Sequence, residues 1–218
     1  MKVITIFRWI SKAAYDNNSD AYDDFPEGEH YLQLSQTEKD MVDMVCDNFD
    51  DVIVIYNGAN QFELGFTDEY PQIKSVVWCP GTGNVGFNAL GKVFSGEVNP
   101  SGKTPDTFIY DMTTAPWWNN GEKIEYTNLA DMAVEGMNAG SPQVYAPAFT
   151  NYVEGIYVGY KYYETAAQEG FIDYDKTVQY PFGYGLSYTE FEQKMGELEE
   201  KDGQISVDVE VTNTGDVA

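Results

Sequence analysis

Asp51–Gly58 reads "DVIVIYNG", an unbroken run of branched and aromatic side chains closed by Asn-Gly. A strand with one wet face alternates apolar and polar residues. This run does not alternate, so it predicts a parallel strand covered on both faces, with a turn at its end. Parallel strands need long crossovers, usually helical, and the flanking sequence supplies them. Ser35 and Glu38 form the capping-box pattern S-x-x-E. Met41, Val42, Val45 and Phe49 recur behind them at helical spacing, which predicts a helix over about Gln36–Asn48. Further upstream, "VITIF" (Val3–Phe7) predicts a short buried strand.

Downstream, "IKSVVWCPG" (Ile73–Gly81) is a second β-rich run. "FNALGKVFSGEV" follows, with Phe87, Leu90, Val93 and Phe94 on one helical face, and "NPSGK" (Asn99–Lys103) is turn chemistry. Strand, helix, strand, helix makes an α/β layer domain. Ser11–Glu29 is polar, acidic and aromatic and is expected to be a long loop. Asp111–Phe149 loses periodicity and is expected to be loops. Val153–Gly170 is expected to be helical, rich in Tyr and ending at Gly170.

The period changes near Phe191. In "QISVDVEVTNTG" (Gln204–Gly215), Ile205, Val207, Val209 and Val211 share one face. That is a half-exposed antiparallel strand, and it predicts an all-β module represented by about one strand. Ahead of it, "YPFGYGLSYTEF" (Tyr180–Phe191) packs aromatics and glycines with no charge before Glu190. Exposed aromatics would form a sticky patch, so Tyr180, Phe182, Tyr184 and Leu186 are expected to be mostly buried, with Gly183 or Gly185 in a turn.

The 218 residues carry 36 acidic and 12 basic side chains, a formal net charge of −24. This argues against nucleic acid and anionic membrane surfaces, which need a basic patch. Hydrophobic residues make up 43%, enough for a packed core. No apolar run approaches the roughly 18 residues of a membrane span. The N-terminus does not read as a signal peptide, and a cytoplasmic location is expected. Cys46 and Cys79 have no partner His pattern, and His30 is the only histidine. An ordinary His-based zinc site and a Ser-His-Asp or Cys-His set are excluded unless His30 alone supplies the base. "GTGNVG" (Gly81–Gly86) matches G-x-G-x-x-G between a strand and a helix. No strand ending in Asp or Glu lies about 20 residues further on, as a dinucleotide site requires. A tight turn is the favoured reading, and no cofactor and no metal are expected.

Taken together, "GTGNVGFNALGKVFSGEVNPSGKTPDTF", "NYVEGIYVGYKYYETA" and "VQYPFGYGLSYTEF" resemble the second domain of glycoside hydrolase family 3, the β-glucosidase family. The resemblance runs from about Val3 to the C-terminus. It implies a partial α/β/α sandwich with mostly parallel strands over residues 1–190, then the start of a fibronectin type III-like module over residues 191–218. Both ends are expected to be truncated, and the last strand is expected to be poorly paired, or paired with a neighbouring chain, with its Val face partly exposed, an edge that favours self-association.

The family removes a terminal β-linked sugar with retention, using two carboxyl groups roughly 5–5.5 Å apart. Its nucleophile is an Asp on a TIM-like barrel. That Asp has no counterpart here, so the resemblance implies a missing barrel domain as partner and a β-linked oligosaccharide or glucoside as substrate. The acid/base is a Glu on a sandwich-domain loop, often in an E-G-x-D-R-like pattern. "ISKAAYDNN" after Arg8 and Trp9 contains no Glu. Glu27, in the loop's Glu27-Gly28 pair, is the first candidate and Glu29 the second. A carbohydrate-binding or scaffolding remnant, with Trp117, Trp118 and the Tyr-rich helix stacking on sugar faces, is the alternative.

Overall fold

A computed structural model describes residues 2–7, 24–26, 28–118, 124–125, 127–138, 141–145, 148–149 and 151–217. The chain divides into two compact units, Met1–Gly81 with Asp106–Phe182, and Thr82–Pro105 with Gly183–Ala218.

The first unit is built on a three-stranded parallel sheet of order β1-β2-β3, comprising β1 (Lys2–Phe7), β2 (Val52–Asn57) and β3 (Ile73–Trp78). β1 lies in continuous register on β2, from Lys2 opposite Val52 to Phe7 opposite Asn57. β2 is the central strand, and Val52, Val54, Ile55 and Tyr56 are buried, as a parallel strand between two neighbours requires. β3 is less covered than its sequence suggests. It is an edge strand, and Lys74 and Ser75 are exposed.

Helix α1 (Gln36–Asn48) starts on the expected capping box. Ser35 Oγ accepts from the Glu38 amide, and Glu38 Oε2 accepts from the Ser35 amide at 2.9 Å. Val42 and Cys46 are its buried residues. They join Leu34, Val52, Val54, Tyr56, Phe62, Leu64 and Phe108 in one core cluster. A second cluster contains Leu32, Ile109, Met112, Ala115, Tyr163 and Val178. β4 (Phe108–Ile109) therefore supplies one residue to each cluster, since adjacent strand residues point to opposite faces.

After Ile109 the chain is more regular than a loop. A 3₁₀ turn (Met112–Thr114) is followed by β5 (Ile124–Glu125), a helical turn α3 (Leu129–Met132), a hairpin of β6 (Val134–Asn138) and β7 (Ser141–Tyr145), and β8 (Ala148–Phe149). Val134 and Val144, on opposite faces of the hairpin, are both exposed. The helix expected over Val153–Gly170 is only α4 (Tyr160–Gln168), and α5 (Tyr174–Thr177) leads into β9 (Val178–Tyr180). Gly155 and Gly159 sit at φ 57° and 62°. That left-handed backbone stops a right-handed helix from forming before Tyr160. β9 pairs antiparallel with β4 and closes the unit.

The second unit contains α2 (Phe87–Phe94) and a long hairpin of β10 (Phe191–Lys201) and β11 (Gln204–Asn213). The Gly86 amide donates to the Thr82 carbonyl at 3.1 Å, and a Cβ on Gly86 would collide with that oxygen. The glycine is needed by the turn itself.

The hairpin corrects two expectations. β11 is paired along its length within the chain, from Lys201 opposite Gln204 to Phe191 opposite Asn213. β10 is a full strand that its sequence conceals. A bulge between Met195 and Leu198 shifts the register, which breaks the period of two that would reveal a strand. Cross-strand partners share a face, so Phe191, Met195, Leu198, Ile205, Val207, Val209 and Val211 form one apolar face, and all are exposed. Glu192, Lys194, Glu199 and Glu210 lie on the other face.

The burial expected of Tyr180–Leu186 is also corrected. Phe182, Tyr184 and Leu186 are 51%, 38% and 73% exposed, and Tyr180 is half-buried. Phe182 covers one ring face by stacking on Tyr160 at 4.6 Å and is otherwise half exposed. Gly183 makes the expected turn at φ 78°.

Candidate functional site

Glu27, the first acid/base candidate, lies outside the described residues. Glu29 is described. Its amide donates to the Pro26 carbonyl at 3.1 Å, and its Oε1 lies 2.5 Å from Lys39 Nζ on the first turn of α1. A general acid must present a free carboxyl edge to the leaving oxygen, and one edge of Glu29 is engaged by Lys39.

The residues after Glu29 are tied to the body of the first unit. Leu32 and Leu34 are buried, one in each core cluster. The carbonyl of Leu32 accepts from the Glu63 amide at 2.8 Å. Phe62 and Leu64 are buried, so Glu63 between them is turned toward this loop. Glu63 Oε2 accepts from Gln33 Nε2 at 3.0 Å, and Oε1 accepts from the Met112 amide at 2.7 Å. His30 Nε2 is 3.2 Å from the same Oε1. It lies off the hydrogen-bond line, so this contact is electrostatic. The imidazole Nδ1 accepts from the Leu32 amide at 3.2 Å, which places the ring proton on Nε2, toward the carboxylate. The Trp118 ring covers the imidazole with centroids 4.7 Å apart.

This arrangement decides the role of His30. Its side chain is only 5% exposed, and both its nitrogens face protein groups. It is a structural histidine and not the solitary base that the sequence left open. Trp117 and Trp118 pack against the second core cluster, so much of their ring surface is already used. Asp24 ties the other end of the loop. Its carboxylate accepts from the Thr37 hydroxyl at 3.0 Å, and its carbonyl accepts from the Gln36 amide at 2.8 Å.

Sequence reasoning missed Glu63 and Gln33. Neither sits in a motif, and their contacts span 30 positions. The available signal was a single acid, Glu63, in the apolar setting "FELGF". Among the described residues, no group of three or more His, Cys, Asp or Glu side chains could hold a metal ion. No helix among them is long and apolar enough to cross a membrane.

Residues 9–160 match the glycosyl hydrolase family 3 C-terminal domain. A β-glucosidase of Ruminococcus albus is 34% identical over 187 residues, covering 85% of this chain and 16% of the relative. β-Glucosidase A of Butyrivibrio fibrisolvens is 35% identical, covering 87% and 19%. The crystal structure of a Paenibacillus barengoltzii β-glucosidase superposes with a TM-score of 0.71 at 29% identity, covering 98% of this chain and 20% of that one. β-Glucosidase 3B of Thermotoga neapolitana in complex with α-D-glucose gives a TM-score of 0.60 at 28% identity, covering 98% and 25%.

A three-stranded parallel sheet with the capped helix α1 packed in one core defines an α/β layer domain. The chain belongs to glycosyl hydrolase family 3, and over residues 9–160 it carries the family's C-terminal domain. It spans between about a sixth and a quarter of the length of these relatives.

Proposed function

We propose that this chain is the acid/base-bearing part of a β-glucosidase-like hydrolase that cleaves terminal β-linked glucosides with retention. The observation that carries this reading is the loop ahead of α1, which holds Glu27 and Glu29 and is fastened on both sides in a domain whose relatives are named β-glucosidases. The described residues form small sheets and hairpins with no barrel. By the family resemblance, the nucleophile is assigned to a barrel domain outside this chain.

In this reading the barrel carboxylate attacks the anomeric carbon. A glutamic acid of the loop, Glu27 first and Glu29 second, gives its proton to the departing oxygen. The resulting carboxylate then takes a proton from the water that hydrolyses the glycosyl-enzyme. Residues 1–190 are read as a partial α/β/α sandwich. Residues 191–218 are read as the start of a fibronectin type III-like module, a reading supported by the amphipathic β10–β11 hairpin. The non-catalytic carbohydrate-binding alternative has less support, because Trp117 and Trp118 are packed against the core.

The test is turnover of a chromogenic β-glucoside by the chain alone and after assembly with a family 3 barrel domain. Activity is expected only in the assembly. Glu27→Gln is expected to lower it by about 10²–10⁴-fold, the usual share of a general acid or base. If Glu29→Gln has that effect instead, the assignment moves to Glu29. Full activity in both variants, or turnover by the isolated chain that a single Asp or Glu substitution abolishes, would refute the proposal.

A further inference from the structure

A buried carboxylate is costly unless its oxygens are served, and Phe62 and Leu64 already anchor their segment without one. Glu63 is nevertheless held at 12% side-chain exposure with an imidazole only 5% exposed beside it. Its carboxylate joins two distant parts of the chain, the loop of residues 28–34 and the turn after β4. Gln33 Nε2 comes from the acidic loop, His30 Nε2 from the residue after Glu29, and the Met112 amide from the turn after β4. The two loop side chains are also locked to each other. Gln33 Oε1 accepts from the His30 amide at 3.2 Å, and the Gln33 amide donates to the His30 carbonyl at 3.1 Å. Directional hydrogen bonds from Gln33 and the Met112 amide select a single geometry for Glu63, whereas an apolar anchor tolerates several.

We infer that Glu63 and His30 are positioning residues for the acid/base: Glu63 is the fixed point onto which residues 28–34 are locked, and the lock sets the reach of the carboxyl group of Glu29, the residue before His30. The inference rests on the acid/base reading above. Neither residue touches substrate. Glu63 holds Gln33 and His30, and His30 adjoins Glu29 in the chain and carries the Leu32 amide on its Nδ1.

The experiment separates a misplaced acid from a damaged fold. Dinitrophenolate departs without a proton, so kcat/KM on a 2,4-dinitrophenyl β-glucoside, which reports the steps up to its departure, needs the barrel nucleophile and an intact fold but not the acid. A phenyl or alkyl β-glucoside also needs the acid. In the full chain assembled with a family 3 barrel domain, Glu63→Gln and His30→Asn are expected to lower kcat/KM on the alkyl glucoside by about 10–100-fold, a part of what a general acid contributes. The dinitrophenyl substrate should change by less than about threefold. His30→Asn keeps an acceptor for the Leu32 amide and loses the reach to Glu63. His30→Gln restores that reach and is expected to recover most of the activity. Equal losses on both substrates, or no loss on either, would overturn the inference.

Amide hydrogen exchange of the full chain gives an independent readout. Glu63→Gln is expected to speed exchange at Leu32, Gln33 and Glu63 and to leave Val54 and Ile55 unchanged. Unchanged exchange at the first three sinks the lock whatever the activity shows. If the wild-type assembly cleaves neither substrate, the acid/base reading fails, and an inference resting on it falls too even where exchange reveals the lock.

Discussion

Asn99 Oδ1 accepts a hydrogen bond from the backbone amide of Tyr188 at 2.9 Å, across 89 positions of sequence. The same oxygen accepts from the Ser187 hydroxyl at 3.0 Å. One side chain of the "NPSGK" turn thus holds the start of the segment that leads into the hairpin, and the Tyr188 hydroxyl adds a bond to the Val93 carbonyl at 2.8 Å. Asn99→Ala removes the acceptor for two donors. At about 0.5–1.5 kcal/mol per bond, a loss of about 1–3 kcal/mol is expected in urea unfolding, with Ser187→Ala costing about half as much. A change within measurement error for Asn99→Ala would show that water replaces the side chain freely.

Gly185 tests the same junction by sterics. A Cβ there would collide with the Gly102 carbonyl oxygen, whereas a Cβ on Gly183 meets open space but at φ 78°. Gly185→Ala forces backbone movement and is expected to cost about 1–3 kcal/mol. Gly183→Ala is expected to cost about 1 kcal/mol from the left-handed backbone alone. Thermal unfolding of the two variants side by side checks the order, and the reverse order would contradict the packing described.

Most of the fold and little of the site are legible in the sequence, for identifiable reasons. Ser35 and Glu38 act across three residues, so the start of α1 can be read directly, and Val52–Tyr56 announces a central strand by its lack of alternation. β10 is hidden by its bulge and by its charged outer face. The non-helical stretch before Tyr160 is fixed by the backbone angles of Gly155 and Gly159, which overrule an aromatic pattern that looks helical. Glu63 gains its meaning from Gln33, His30 and Met112, which approach it only in three dimensions. Such long-range pairings leave no periodicity to read.

Two tyrosines set an alkaline limit. Burial, followed by a hydrogen bond to Asp68, pushes Tyr110 up from 10.0 to about 12. Burial, followed by a bond to Glu164, does the same to Tyr174. The unfolded chain releases these protons near pH 10 and the folded chain near 12. Their contribution to stability is therefore complete below pH 10 and is lost as the pH rises from about 10 to 12. The urea midpoint is expected to fall across that window, and Tyr110→Phe should flatten part of the fall. A midpoint constant from pH 10 to 12 would count against the tyrosine assignment.

The exposed face of Met195, Leu198, Val207 and Val209 is an apolar patch on a two-stranded ribbon. Patches of this kind drive association. Light scattering is expected to show concentration-dependent self-association that strengthens with salt, because salt screens the net charge of −24. Val209→Lys should weaken it. A monomer at high concentration and high salt would remove the patch from consideration.

β4 waits a long time for its partner. Among the described residues, Phe108 and Ile109 pair only with Val178–Tyr180, and Gln179 reaches back to the Leu64 carbonyl across 115 positions. A ribosome adding about 5–20 residues per second needs roughly 4–14 seconds to make the intervening seventy residues. During that interval Phe108 and Ile109 have no strand to close over them. Completion of the first unit is thus timed by translation. Protease protection of the segment around Phe108, followed on stalled nascent chains, should arise only after Tyr180 has cleared the exit tunnel.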